Sequence, residues 1–116
     1  MKWNNKKKTA VYIGRFQPFH LGHKTIIKKI LQKEKQVAIL VMDSMGVGNK
    51  NPYSFLKVKK LINNSLNDIK GSYKIIKIPV VSRVVYGRKV GYKIQKINLS
   101  KKIEKISATK IRKKLL

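Results

Sequence analysis

Apolar positions along this chain recur with two different periods, and the switching between them predicts an α/β fold. Thr9 to Gly14 (TAVYIG) is β-branched and aromatic, closes on a glycine and runs into a turn containing Pro18, which predicts a first strand. From His23 onward, Ile26, Ile27, Ile30 and Leu31 fall at helical spacing with Lys28, Lys29 and Lys33 on the other side, the pattern of an amphipathic helix. Val37 to Met42 (VAILVM) is apolar without alternation, as expected of a parallel strand covered on both faces. A loop rich in Gly and Asn, SMGVGNKNP, precedes Phe55, Val58, Leu61, Ile62 and Leu66, which return to helical spacing up to about Asn67. Lys74 to Ile78 predicts a third strand stopping at Pro79, Arg83 to Tyr86 a fourth stopping at Gly87, and Tyr92 to Ile97 a fifth. A short helix over Ala108 to Leu115 closes the pattern.

Strands alternating with helices, joined by right-handed crossovers, predict a Rossmann-like, doubly wound parallel sheet of five strands in a single α/β domain. The 116 residues suffice for one such domain and not for two. Residues 1–8, with the run Lys6 to Lys8, read as a flexible basic tail, and residues 9–116 as the domain. Ligands of these sheets sit beyond the carboxyl ends of the strands, near the switch point, so the exit of the first strand is where chemistry is expected.

Charge narrows the choice of ligand. Lys and Arg number 29 against 4 Asp and Glu, a net charge of +25, so the expected partners are anionic. Arg15, Arg83, Arg88 and Arg112 are the arginines; the excess of lysine fits AT-rich coding, whereas the scarcity of acids does not, so the positive field is a property of the protein. The acids are Glu34, Asp43, Asp68 and Glu104, too few for paired-carboxylate glycoside hydrolysis or a carboxylate metal cage. The absence of cysteine excludes disulfides, thiolate catalysis and Cys-based zinc. Neither a membrane-length apolar run nor a signal-peptide pattern is present, and the expectation is a cytoplasmic protein without a membrane partner.

At the exit of the first strand stands GRFQPFHLGH, residues 14–23. His20 and His23, three residues apart at a helix start, can both point at one spot beside the helix N-terminus. Free backbone N–H groups and the helix dipole favour phosphate there, Gly22 permits close approach, and the imidazoles can donate to phosphoryl oxygens as charge develops. A second constellation, Ile106 to Arg112 (ISATKIR), opens the final helix: Ser107 suits an N-cap, Thr109 lies in the first turn and Arg112 one turn later. Hydroxyl, backbone N–H and guanidinium can there share one polyphosphate, although a capped basic helix has the same pattern.

Together, GRFQPFHLGH and the later ISATKIR resemble the nucleotidyltransferase superfamily that includes archaeal-type nicotinamide-nucleotide adenylyltransferases and the small cytidylyltransferases. The resemblance implies that His20 and His23 stabilise the transition state at the α-phosphorus and that Gly14, Arg15 and Phe16 line the nucleotide pocket. It assigns Ser107, Thr109 and Arg112 to the β- and γ-phosphates, with Arg112 counted among the catalytic residues. Asn51-Pro52-Tyr53-Ser54 resembles that family's Asn-Pro-Phe-Thr, but Val58 stands where an arginine is expected, and Val85 to Lys89 matches the pyridine-nucleotide pocket only loosely.

The expected reaction is transfer of a nucleoside monophosphate, AMP from ATP, to a phosphate monoester with release of pyrophosphate; CTP is the alternative donor. A phosphate monoester is largely deprotonated at pH 7, so no general base is required and the shortage of acids does no harm. Mg2+ is expected to arrive on the triphosphate, with Asp43 the one acid nominated as helper, equally readable as a loop cap. Lys50, Lys57, Tyr86 and Arg88 are candidates for the acceptor's side. Neither GxxxxGK[ST] nor GxGxxG occurs, which argues against a P-loop kinase and a dinucleotide-binding dehydrogenase. A reading of another class is an inactive, basic nucleic-acid-binding protein of the same fold. Self-association or a place in a larger assembly is a further option, since a small sheet leaves edges to cover.

Overall fold

The computed structural model describes residues 3–88 and 91–99. Five elements follow in the expected order: β1 (Ala10–Gly14), α1 (Leu21–Lys33), β2 (Gln36–Met42), α2 (Phe55–Ser65) and β3 (Ser72–Ile78). The strands pair in parallel in the order β1-β2-β3, with Tyr12 opposite Ile39 and Ile39 opposite Ile75.

Alternation along β2 sends Val37, Ile39 and Val41, all fully buried, to one face. Ile27 of α1 and Val58 and Ile62 of α2 join them in one core, so both helices cover that face. The register puts Val11, Ile13, Leu40 and Ile76 on the opposite face, where Val11 stays 57% exposed. Each helix is started by its own side-chain cap, and that of α2 is Ser54, whose hydroxyl accepts Lys57 N–H at 3.2 Å.

Two expected strands are not formed. Residues 83–86 and 92–97 are irregular, and the described sheet has three strands rather than five. The physical reason is that β-forming residues make a strand only where a ladder partner and a packing face are available. Val84, Val85 and Ile94 are instead 65%, 75% and 71% exposed. β1 is consequently an edge of the described sheet. The expected helix Ala108 to Leu115 lies outside the described residues.

The stretch before β1 is tied to the amino end of β2. The buried Gln36 amide accepts Asn4 N–H at 3.1 Å and donates to the Asn4 carbonyl at 2.7 Å and to the Thr9 hydroxyl. Among the described residues no helix is long and apolar enough to cross a membrane.

Candidate active site

The chain leaves β1 at Gly14 and turns sharply. Phe16 adopts a left-handed backbone (φ 53°), and its ring folds back over Gly14, where an added Cβ would come within 2.8 Å of the ring. The Gln17–Pro18 peptide is cis. Phe16 is 2% exposed, so its side chain shapes the site from the core rather than lining a pocket, as does buried Phe19, while Arg15 is exposed at the strand exit.

His20 is the N-cap of α1. Its extended backbone lets its Nδ1 accept Gly22 N–H at 3.0 Å, while Nδ1 of His23 accepts His20 N–H at 3.1 Å. This is a capping box, a device usually made by Ser or Thr with Glu or Gln, built here from two imidazoles. A neutral imidazole that accepts at Nδ1 carries its proton on Nε2. Both histidines are thereby fixed in the tautomer that offers an Nε2–H donor.

The surroundings keep them neutral. His23 touches Phe16 edge-on (4.9 Å between centroids) and Phe19 at 5.4 Å, with Tyr12 at 6.4 Å. Burial among these rings, followed by the His20 charge, lowers the His23 pKa to about 3; burial also lowers that of His20 and raises that of Tyr12 to about 12. The imidazoles stack at 3.9 Å. Gly22 serves this stack: an added Cβ would lie 2.8 Å from His20 Cε1, so the space its hydrogen leaves is filled by the His20 ring.

A second loop meets this turn. The Gln17 side-chain amide donates to the Tyr53 carbonyl at 2.9 Å and accepts Tyr53 N–H at 2.8 Å. Tyr53 lies in the Asn51-Pro52-Tyr53-Ser54 stretch that leads into α2, and Asn51 is itself buried, bonded to the Val47 carbonyl and accepting Gly46 N–H at 2.9 Å. Gln17 carries no signal of this role in the sequence, because a long-range side-chain pairing leaves no periodic trace.

The remaining expected site residues fall in three groups. Lys50, in the loop, and Lys57, in the first turn of α2, are exposed on either side of the Gln17–Tyr53 pairing. Tyr86 packs edge-on against Tyr92 at 6.0 Å, and Arg88 is exposed; no described hydrogen bond or ring contact joins either to the histidines. Ser107, Thr109 and Arg112 lie outside the described residues. Leu99, near the end of the described chain, rests beside Gly22, its methyl 3.6 Å from where a Cβ would stand. Asp43 is exposed, and among the described residues no three His, Cys, Asp or Glu side chains cluster as a metal cage.

Residues 11–63 match the cytidylyltransferase-like family, which is the resemblance carried by GRFQPFHLGH. Curated relatives agree. The nicotinamide-nucleotide adenylyltransferase of Saccharolobus solfataricus is 42% identical over 52% of this chain and 36% of its own. That of Methanosphaerula palustris is 30% identical over 64% of this chain and 45% of its own. A solved bifunctional NMN adenylyltransferase/ADP ribose pyrophosphatase from Francisella tularensis, complexed with AMP and a manganese ion, superposes with a TM-score of 0.57 at 35% identity, over 64% of this chain and 23% of that one. The chain spans less than half the length of these relatives.

Proposed function

We propose that this chain, similar over residues 11–63 to the cytidylyltransferase-like nucleotidyltransferases, transfers AMP from ATP to a phosphate monoester and releases pyrophosphate. The observation that carries the reading is the mutually capped pair His20 and His23, two neutral imidazoles with Nε2–H donors at the start of α1. The names of the relatives favour ATP over CTP and make nicotinamide mononucleotide the first acceptor to try.

In this reaction an acceptor phosphate oxygen attacks the α-phosphorus, a new P–O bond forms, and the bond to the bridging oxygen of the β-phosphate breaks. The acceptor's second pKa is near 6, so its oxygen is already ionised at pH 7 and no protein base is needed. What remains is alignment and neutralisation of charge on the equatorial oxygens. The Nε2–H groups of His20 and His23 and the free N–H groups of α1 supply donors that need no reorganisation. Gly14 and Arg15 flank the nucleotide at the strand exit, and the buried Phe16 ring holds that turn in shape.

Ser107, Thr109 and Arg112 are assigned to the leaving pyrophosphate. The chain length permits this, because Leu99 stands beside Gly22 and the eight-residue span from it to Ser107 can reach up to roughly 28 Å. Lys50 and Lys57 are assigned to the acceptor phosphate, with Tyr86 and Arg88 as weaker candidates. A divalent ion, Mg2+ in this reading, is assigned to the triphosphate, where it keeps water ligands and needs few protein carboxylates.

The test is pyrophosphate release from each nucleoside triphosphate, with magnesium, against a panel of phosphomonoesters headed by nicotinamide mononucleotide. Release with ATP and one acceptor is the expected result. No release with any pair, accompanied by RNA or DNA binding that weakens steeply with salt, would instead establish the nucleic-acid-binding reading.

A further inference from the structure

We infer that Gln17 is a positioning residue that locks the acceptor-side loop onto the histidine turn; the inference rests on the nucleotidyltransferase reading for its consequence and on geometry for its existence. Gln17 is 4% exposed, three residues before His20 in the same turn. Its amide meets both backbone groups of Tyr53, donating at 2.9 Å and accepting at 2.8 Å, as a neighbouring strand would. A carboxamide offers a donor and an acceptor side by side on one carbon, and asparagine, the other residue that carries one, is shorter by a methylene.

The pairing closes a frame. The segment from Asp43 to Tyr53 starts at the end of β2, where Asp43 N–H donates to the Ile78 carbonyl at 2.8 Å and ties it to the end of β3. Its middle is braced by Val47 N–H to the Ser44 carbonyl at 3.0 Å and by Asn51 to Gly46 and Val47. Its far end is held by Gln17, immediately before Ser54 caps α2. Lys50 is thus carried on a segment fixed at both ends, one of them tied through Gln17 to the turn that carries His20, and Lys57 follows on the helix that Ser54 caps.

Because Tyr53 is recognised through its backbone, Tyr53→Phe should leave the pairing intact, whereas Gln17→Met keeps the volume and removes both bonds. In Gln17→Met we expect Tyr53 amide exchange and tryptic cleavage after exposed Lys50 each to rise about tenfold, the order set by losing a net hydrogen bond. The acceptor KM should rise by a similar factor with the ATP KM within about twofold. Gln17→Glu keeps an acceptor for Tyr53 N–H but turns a carboxylate oxygen toward the Tyr53 carbonyl in a buried site, so its values should rise at least as far as those of Gln17→Met. Unchanged exchange and cleavage would overturn the pairing. Raised exchange with an unchanged acceptor KM, or failure of both Gln17 variants to fold, would overturn the positioning role. If wild type turns over no substrate pair, the reaction reading fails and the positioning role with it, while exchange and cleavage still decide whether the loop is locked.

Discussion

The imidazole of His20 stacks on that of His23 with centroids 3.9 Å apart and planes 28° from parallel, while each Nδ1 holds a backbone N–H of the same helix start. Cap and candidate catalytic pair are therefore one object, and protonating either ring removes an acceptor from the cap.

This sets a pH dependence. Both histidines have folded-state pKa values below the free value of 6.5, His23 at about 3, so between those limits the unfolded chain binds more protons than the folded one. Their contribution to stability is complete above pH 6.5 and lost as pH falls below it, by at most ~1.4 kcal/mol per pH unit for the buried His23 ring and by less for the half-exposed His20. Melting temperature followed by circular dichroism should be flat above pH 6.5 and decline between pH 6.5 and 4.5. A double variant, His20→Asn with His23→Gln, should flatten the decline. Equal slopes in the two proteins would contradict the assignment.

Capping and chemistry can be separated at His20. Asparagine is a good N-cap, so His20→Asn should stay within about 0.5 kcal/mol of wild type, whereas His20→Ala should lose about 1 kcal/mol. Both should lower turnover by roughly 100-fold, the usual loss on removing an oxyanion donor. Denaturant melts and pyrophosphate release measure the two effects. Turnover that tracks stability across the pair would reduce His20 to a capping residue.

Much of this arrangement was legible in the sequence because it rests on short-range patterns. The run Val37 to Met42 and the spacing of Ile26, Ile27 and Ile30 located β2 and α1 to within a residue or two, since burial on a sheet imposes those periods. His20 and His23 were legible because strand end, glycine and helix start stood together. The segments at 83–86 and 92–97 misled because Val84, Val85 and Ile94 suit a strand wherever a partner exists, and none pairs with them here. Gln17 and Gln36 were invisible for the opposite reason: each bridges at least twenty-seven residues of sequence through one amide, and no local pattern announces it.

Gly22 separates helix propensity from site geometry. Alanine at an ordinary helical glycine stabilises by about 0.5 to 1 kcal/mol. Here its Cβ would meet His20 Cε1 at 2.8 Å and Nδ1 at 3.1 Å, which displaces the ring. Gly22→Ala should therefore keep a near-native melting temperature and lose turnover as severely as His20→Asn. Retained turnover would mean that the stacked ring position is not the reactive one.

Gln36 provides the contrast to Gln17, because it makes the same kind of bonds at the opposite end of the sheet. Its amide, 1% exposed, accepts Asn4 N–H at 3.1 Å and donates to the Asn4 carbonyl at 2.7 Å and to the Thr9 hydroxyl. Gln36→Met preserves volume and leaves the Asn4 groups without those partners, which should cost about 1 to 3 kcal/mol. Trypsin should then cleave faster within Lys6 to Lys8, the basic stretch released from β2. The amino end of β2 lies away from the strand exits where the histidines stand, so turnover per folded molecule should match wild type. A fall in turnover larger than the unfolded fraction accounts for would show that the amino-terminal stretch reaches the site, and would remove the distinction drawn here between the two glutamines.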